Sequence, residues 1–225
     1  MACRIHVRSN LMIEKLLKNL EEVNKMHPYE GLAVMKAFKG AVYPFDLLAI
    51  AVLNRSMSLT SAFITLMRSN NFVASVTLIR PQLDTFLRFA AGWLVTDPHA
   101  FVDDILDGKP VKDIRTEKGQ KMTDRFLVSH FSKEYPWISR VYENTSGYVH
   151  LSDKHMFVNA KNSDSIQGRV IFKISDKDDH IPENFKIEAI AAFAEITKLI
   201  LHRVYSWRYT KENSLQLERK ASTTT

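Results

Sequence analysis

The chain has 225 residues, of which 45% are hydrophobic, and its 31 Lys and Arg against 25 Asp and Glu give a formal charge of +6. That length and apolar content call for a sizeable core in one domain, while seven glycines and seven prolines are too few for a β-sandwich or a low-complexity chain. The lone cysteine, Cys3, excludes an intrachain disulfide and a thiolate metal site, and the modest basicity speaks to association rather than to fold.

The opening residues, MACRIHVRSN, have no long apolar stretch after their charges and do not read as a signal peptide. The most apolar run, Leu47 to Leu53, is shorter than the roughly 18 residues that a membrane span needs. A cytoplasmic protein that does not enter a membrane is expected.

Ser9 or Asn10 caps a first predicted helix from about Leu11 to Met26, with an apolar stripe of Ile13, Leu16, Leu17, Leu20 and Val23. His27 and Pro28 are expected to close it, and a short second helix to run from Tyr29 to about Lys39, before Gly40. From Pro44 to about Ser69 the pattern is apolar nearly all round, as in a central helix, with Asn54, Arg55, Ser56 and Ser58 interrupting it. Residues 71–95 follow, and Pro81 within them predicts a kink or a helix restart.

Asp97 and Pro98 read as an N-cap and first helical residue of a short helix to about Leu106. Residues 108–123 are polar and lysine-rich, which predicts a mobile surface excursion. Thr123 or Asp124 caps a helix to about Glu134, and Pro136 begins another that Gly147 weakens near its end. The period then changes: Met156 to Asn159 and Arg169 to Ile174 predict a small hairpin, at about 156–175. The last helix is predicted from Pro182 to about Tyr209, and residues 211–225 form a disordered tail. The fold class is therefore all-α in the main: a single helical bundle over residues 1–210 with a β-hairpin insertion before its last helix.

Two groups of residues carry candidate chemistry. Arg80, Asp84 and Arg88 are spaced four apart and share one helical face, where Asp84 can pair with either arginine. Charges in a packed bundle need such a partner, so the cluster is either a structural clamp or the floor of a polar site. Ser146, Tyr148, His150 and His155 lie far along the chain. If the two helices are neighbours, a guanidinium with its fixed fork of donors and an imidazole able to move a proton near neutral pH converge. That pair suits metal-independent RNA cleavage, with His150 handling a hydroxyl proton and Arg80 stabilising the phosphorane. Asp84, Arg88, Ser146, Tyr148 and His155 are the candidate binding residues around them. The bland readings stand beside this one: a hydrogen-bonded structural histidine, and a core tyrosine with its hydroxyl satisfied.

No metal or cofactor is called for. His150, Asp153 and His155 lack the four-residue spacing of a helical zinc pair, and neither GxGxxG, GxxxxGK[ST] nor GxSxG occurs.

The residues NRSMSLTSAFITLMRSNNFVASVTLIRPQLDTFLRFAAGWL, with YPWISRVYENTSGYVHLSDKHM further on, resemble bacterial helical families of unknown function. Their recurring pattern is an arginine with an acidic residue four on in a central helix, then much later a tyrosine, serine and histidine stretch. Those families look like relatives of the HEPN superfamily, and the resemblance covers roughly residues 40 to 155. It implies a helical bundle, frequent homodimerisation and often metal-independent ribonuclease activity in defence or toxin systems; a bacterial defence or stress system is expected here, and RNA or a nucleotide is the expected partner. The hallmark of active members is an arginine four to six residues before a histidine. This chain departs from it, because nine residues separate Arg140 from His150. Only His150 is carried over, with Arg80 standing in from another helix. The alternatives are a non-catalytic interaction or scaffold protein, and a pocket for a small anionic ligand between the arginines.

Overall fold

The computed structural model describes the backbone of residues 2–149, 163–164, 169–170 and 175–222, and the side chains of residues 11–149 and 175–213. The fold is mainly helical. The first helix, α1, spans Ala2–Lys36 and runs through Pro28, where the sequence predicts a break. Proline lacks the N–H that would bond the carbonyl four residues back, here that of Asn24. His27 takes that acceptor, with Nδ1 2.9 Å from the Asn24 oxygen. Because a carbonyl only accepts, Nδ1 carries the proton, and Nε2, 2.9 Å from Ser56 Oγ, accepts from the hydroxyl.

This bond begins a polar chain through the core. Gln82 Nε2 donates to Ser56 Oγ at 2.7 Å and to Thr197 Oγ1 at 3.0 Å. His27, Ser56, Gln82 and Thr197 are all buried. Burial pulls the His27 pKa below that of an ordinary imidazole, against the pull of the Asn24 carbonyl, so the ring is neutral at pH 7.

The central helix α2, Pro44–Arg68, starts with proline where no N–H is needed, and Tyr43 N donates to Asp46 Oδ2 at 2.8 Å. Asp46 does more than cap. Its Oδ1 accepts from Trp207 Nε1 at 2.7 Å and its Oδ2 from Lys211 Nζ at 2.8 Å, while Lys211 also donates to the Val34 carbonyl at 3.0 Å. The Lys211 and Asp46 side chains are 1% and 0% exposed. The final helix therefore does not end near Tyr209. It spans Glu183–Ser222, and Lys211, predicted to begin a loose tail, is the cation that matches a buried carboxylate.

Between these lie α3 (Phe72–Thr77), α4 (Ile79–Ala90), α5 (Pro98–Leu106), α6 (Asp124–Phe131) and α7 (Trp137–Val149), with the final helix as α8. The chain restarts at Ile79 after Leu78, which puts Pro81 in the first turn of α4, where its missing N–H costs no helical bond. Asn71, Asp97 and Thr123 cap α3, α5 and α6 through their side chains. Residues 108–123 are anchored rather than loose: Val111, Ile114 and Met122 are buried, and Glu117 N donates to the Leu94 carbonyl at 2.9 Å. The first predicted strand, 156–159, and residues 171–174 of the second lie outside the described residues; Ser163–Asp164 (β1), where the sequence predicts the turn, pairs antiparallel with Arg169–Val170 (β2).

Helices α1, α2, α4 and α8 make the centre. Phe63 of α2 stacks on Phe193 of α8 at 4.2 Å, and Phe45 meets Phe89, Trp93 and Trp207. Gly92 permits this approach, since a Cβ there would fall 2.6 Å from Phe45 Cζ. Among the described residues one helix, α2, has the length and apolar composition of a membrane span, and it carries the buried Asp46, Ser56 and Thr60 into contact with α1, α4 and α8.

Candidate functional site

Helix α4 turns one side to the core through Leu83, Phe86, Leu87 and Ala90, which leaves Arg80, Asp84 and Arg88 on the side facing α6 and α7. Asp84 pairs with Arg88: Arg88 Nε lies 2.8 Å from both carboxylate oxygens. Arg80 goes elsewhere. Its Nη1 donates to Ser146 Oγ on α7 at 3.0 Å, its Nη2 lies 3.7 Å from Asp124 Oδ2, and its guanidinium stacks 3.4 Å from the centre of the Tyr142 ring. Asp124, at the start of α6, also takes Arg88 Nη2 at 3.3 Å. Two arginines and two aspartates thus tie three helices together, with no net charge.

Exposure separates the two arginines. The Arg88 side chain is 40% exposed and its partners Asp84 and Asp124 are 27% and 41% exposed, so this pair is a half-solvated clamp with a net contribution of about 1 kcal/mol at most. Burial works against the Arg88 charge, but Asp84 and then Asp124 outweigh it and hold its pKa above that of an ordinary arginine. Arg80 is 18% exposed and is held by a hydroxyl and a ring, with its carboxylate partner beyond hydrogen-bond reach. Among the described residues one of its five N–H groups has an acceptor.

The two stretches singled out in the sequence therefore meet, through Arg80 and Ser146. Ser146 Oγ also lies 2.7 Å from the Tyr142 carbonyl, to which it donates, so its lone pairs remain for Arg80. Tyr148 does not join them. It points the other way from α7 against Phe72, and burial pushes its phenol pKa up. His150 and His155 lie outside the described residues. Asp124 and Tyr142 are the contributors that sequence reasoning missed. Asp124 reads as the start of a helix and Tyr142 as a core ring, and only the proximity of α6 and α7 to α4 reveals their part.

On the far side of α7 a cavity of about 810 Å³ opens between α3, α7 and the start of α8, lined by Phe72, Val76, Trp137, Tyr148, Ile181 and Phe185 among others. A second hollow of about 400 Å³ lies beside Trp93 and Phe126, edged by Lys118, His130 and Lys133. Among the described residues no group of three His, Cys, Asp or Glu side chains is arranged to hold a metal ion. In comparisons with known proteins, no family model, no curated protein and no solved structure matches this chain.

Proposed function

We propose that this is a HEPN-like helical protein that cleaves RNA without a metal, with the α4–α7 seam as its working face. The observation that carries the reading is the 3.0 Å contact between Arg80 Nη1 and Ser146 Oγ, because Ser146 stands four residues before His150 in the sequence. Arg80 is the cation suited to the task. Tyr142 and Ser146 orient it, and its remaining N–H groups have capacity for a phosphate oxygen. Arg88 is bound to Asp84 and serves to hold the helices.

In this mechanism His150 takes the proton of a ribose 2′-hydroxyl as its oxygen bonds to the adjacent phosphorus. Arg80 stabilises the added charge on the phosphorane, and the 5′-oxygen leaves with a proton from water. Asp124 opposes the incoming phosphate, and its 3.7 Å separation from Arg80 is the contact that substrate must replace. Following the resemblance, the working form is a homodimer in a defence or stress system, and the protein is cytoplasmic. The test is degradation of RNA by the purified protein in excess chelator. Cleavage that His150→Ala abolishes is the expected outcome, and unchanged cleavage in that variant would refute the assignment.

A second reading, a non-catalytic interaction or scaffold protein, is favoured by the charge balance of Arg80, Arg88, Asp84 and Asp124. In that case the seam is a structural clamp, and Asp84→Ala lowers thermal stability while RNA is left intact in every preparation.

A further inference from the structure

We propose that the cavity between α3, α7 and the start of α8 binds an uncharged, predominantly apolar small molecule. This goes beyond the RNA reading, because the cavity lies across α7 from Ser146 and shares neither arginine of the seam. Its volume of about 810 Å³ falls within the span typical of small-molecule sites, roughly 300–1,000 Å³. Elsewhere the interior is filled by interlocking rings, as in the Phe63 and Phe193 stack, and close packing is the rule for protein cores. The void arises where α8 carries small side chains. Ala189, Ala191 and Ala192 line it, whereas Phe193, Ile196 and Ile200 fill the core beside them.

The chemistry of the walls selects the ligand. Phe72, Trp137, Tyr148 and Phe185 offer aromatic surface from three directions, with Val76 and Ile181 between them. The charged members, Arg140, Glu188 and Glu195, are all exposed residues at the margin. Asn144 and Thr145 are uncharged, so a ligand charge carried inside would lose its water without gaining an opposite charge, at a cost of several kcal/mol. His180 lines the wall, but both its ring nitrogens are sealed from solvent, so it adds no polar group to the void. Burial pushes the Tyr148 phenol pKa further above its ordinary value, in keeping with an apolar interior.

The experiment is a fluorescence titration of the full chain with N-phenyl-1-naphthylamine, an uncharged aromatic probe, alongside size-exclusion chromatography. Saturable binding of one probe per chain is expected. Ala192→Trp, which fills the void, should weaken it by about tenfold or more, equivalent to about 1.4 kcal/mol. Ala191→Trp, at an exposed position of the wall, repeats the test should the first variant fail to fold. Absence of saturable binding, or wild-type affinity in a folded filled variant, would overturn the proposal. So would a wild-type dimer that becomes monomeric on filling, because the occupant would then be a second copy of the chain.

Discussion

Lys211→Met offers a sharp test of how the last helix is joined to the start of α2, 165 residues earlier. The Lys211 ammonium and Asp46 carboxylate are 1% and 0% exposed and 2.8 Å apart. Removing the cation leaves a carboxylate with no access to water, and breaking one side of a buried pair costs about 3–5 kcal/mol. Asp46 keeps two donors, Tyr43 N and Trp207 Nε1, so the loss should fall at the lower end, about 3 kcal/mol. For a chain of this size that corresponds to a drop of about 6–12 °C in Tm. Thermal and urea unfolding followed by circular dichroism measure it, with Glu212→Met, at an exposed neighbouring position, as the control within about 0.5 kcal/mol of the wild type. A chain ending at Thr210 should lose at least as much as Lys211→Met. If Lys211→Met costs under about 1 kcal/mol, the pair is not the closed contact described and the reasoning from burial fails.

Two further outcomes follow from buried polar groups. Burial depresses the His27 pKa in the folded state, so the unfolded chain takes up the proton first as pH falls. The urea midpoint should hold above the unfolded histidine value, about 6.5, and decline below it, with a shallower decline in His27→Gln. A slope of opposite sign would show that the ring is charged in the fold. The two His180 ring nitrogens are sealed from water and, among the described residues, lack hydrogen-bond partners, so His180→Phe should raise stability by on the order of 1 kcal/mol, and a marked loss would reveal a partner for the ring.

Much of the helical frame is legible in the sequence because local chemistry sets it. Asp97 before Pro98 caps α5 as its residue types dictate, and the all-round apolar pattern from Pro44 marks the helix that α1, α4 and α8 surround. Pro28 misleads because the penalty for proline depends on who takes the freed carbonyl, and His27 does so from the adjacent position. Lys211 misleads for a different reason. In a polar stretch it looks solvated, and the carboxylate that draws it inward lies 165 residues away.

The candidate site divides along the same line. Spacing by four correctly puts Asp84 beside an arginine, but spacing alone leaves both arginines available to it. The choice of Arg88 goes with Ser146 and Tyr142, which hold Arg80 towards α7. The cavity beneath Tyr148 has no sequence signature, because alanines at helical spacing look the same whether they pack tightly or leave space.

Comparing Arg80→Gln with Arg88→Gln bears most directly on the division of labour between the two arginines, with RNA cleavage in chelator and Tm read on the same preparations. Arg80→Gln is expected to lose cleavage by about 100-fold or more while Tm stays within a few degrees of the wild type. Arg88→Gln, which opens the clamp to Asp84, should keep cleavage within about tenfold and lower Tm by a few degrees at most. Cleavage undiminished in Arg80→Gln would contradict the proposal and leave the seam as a structural clamp.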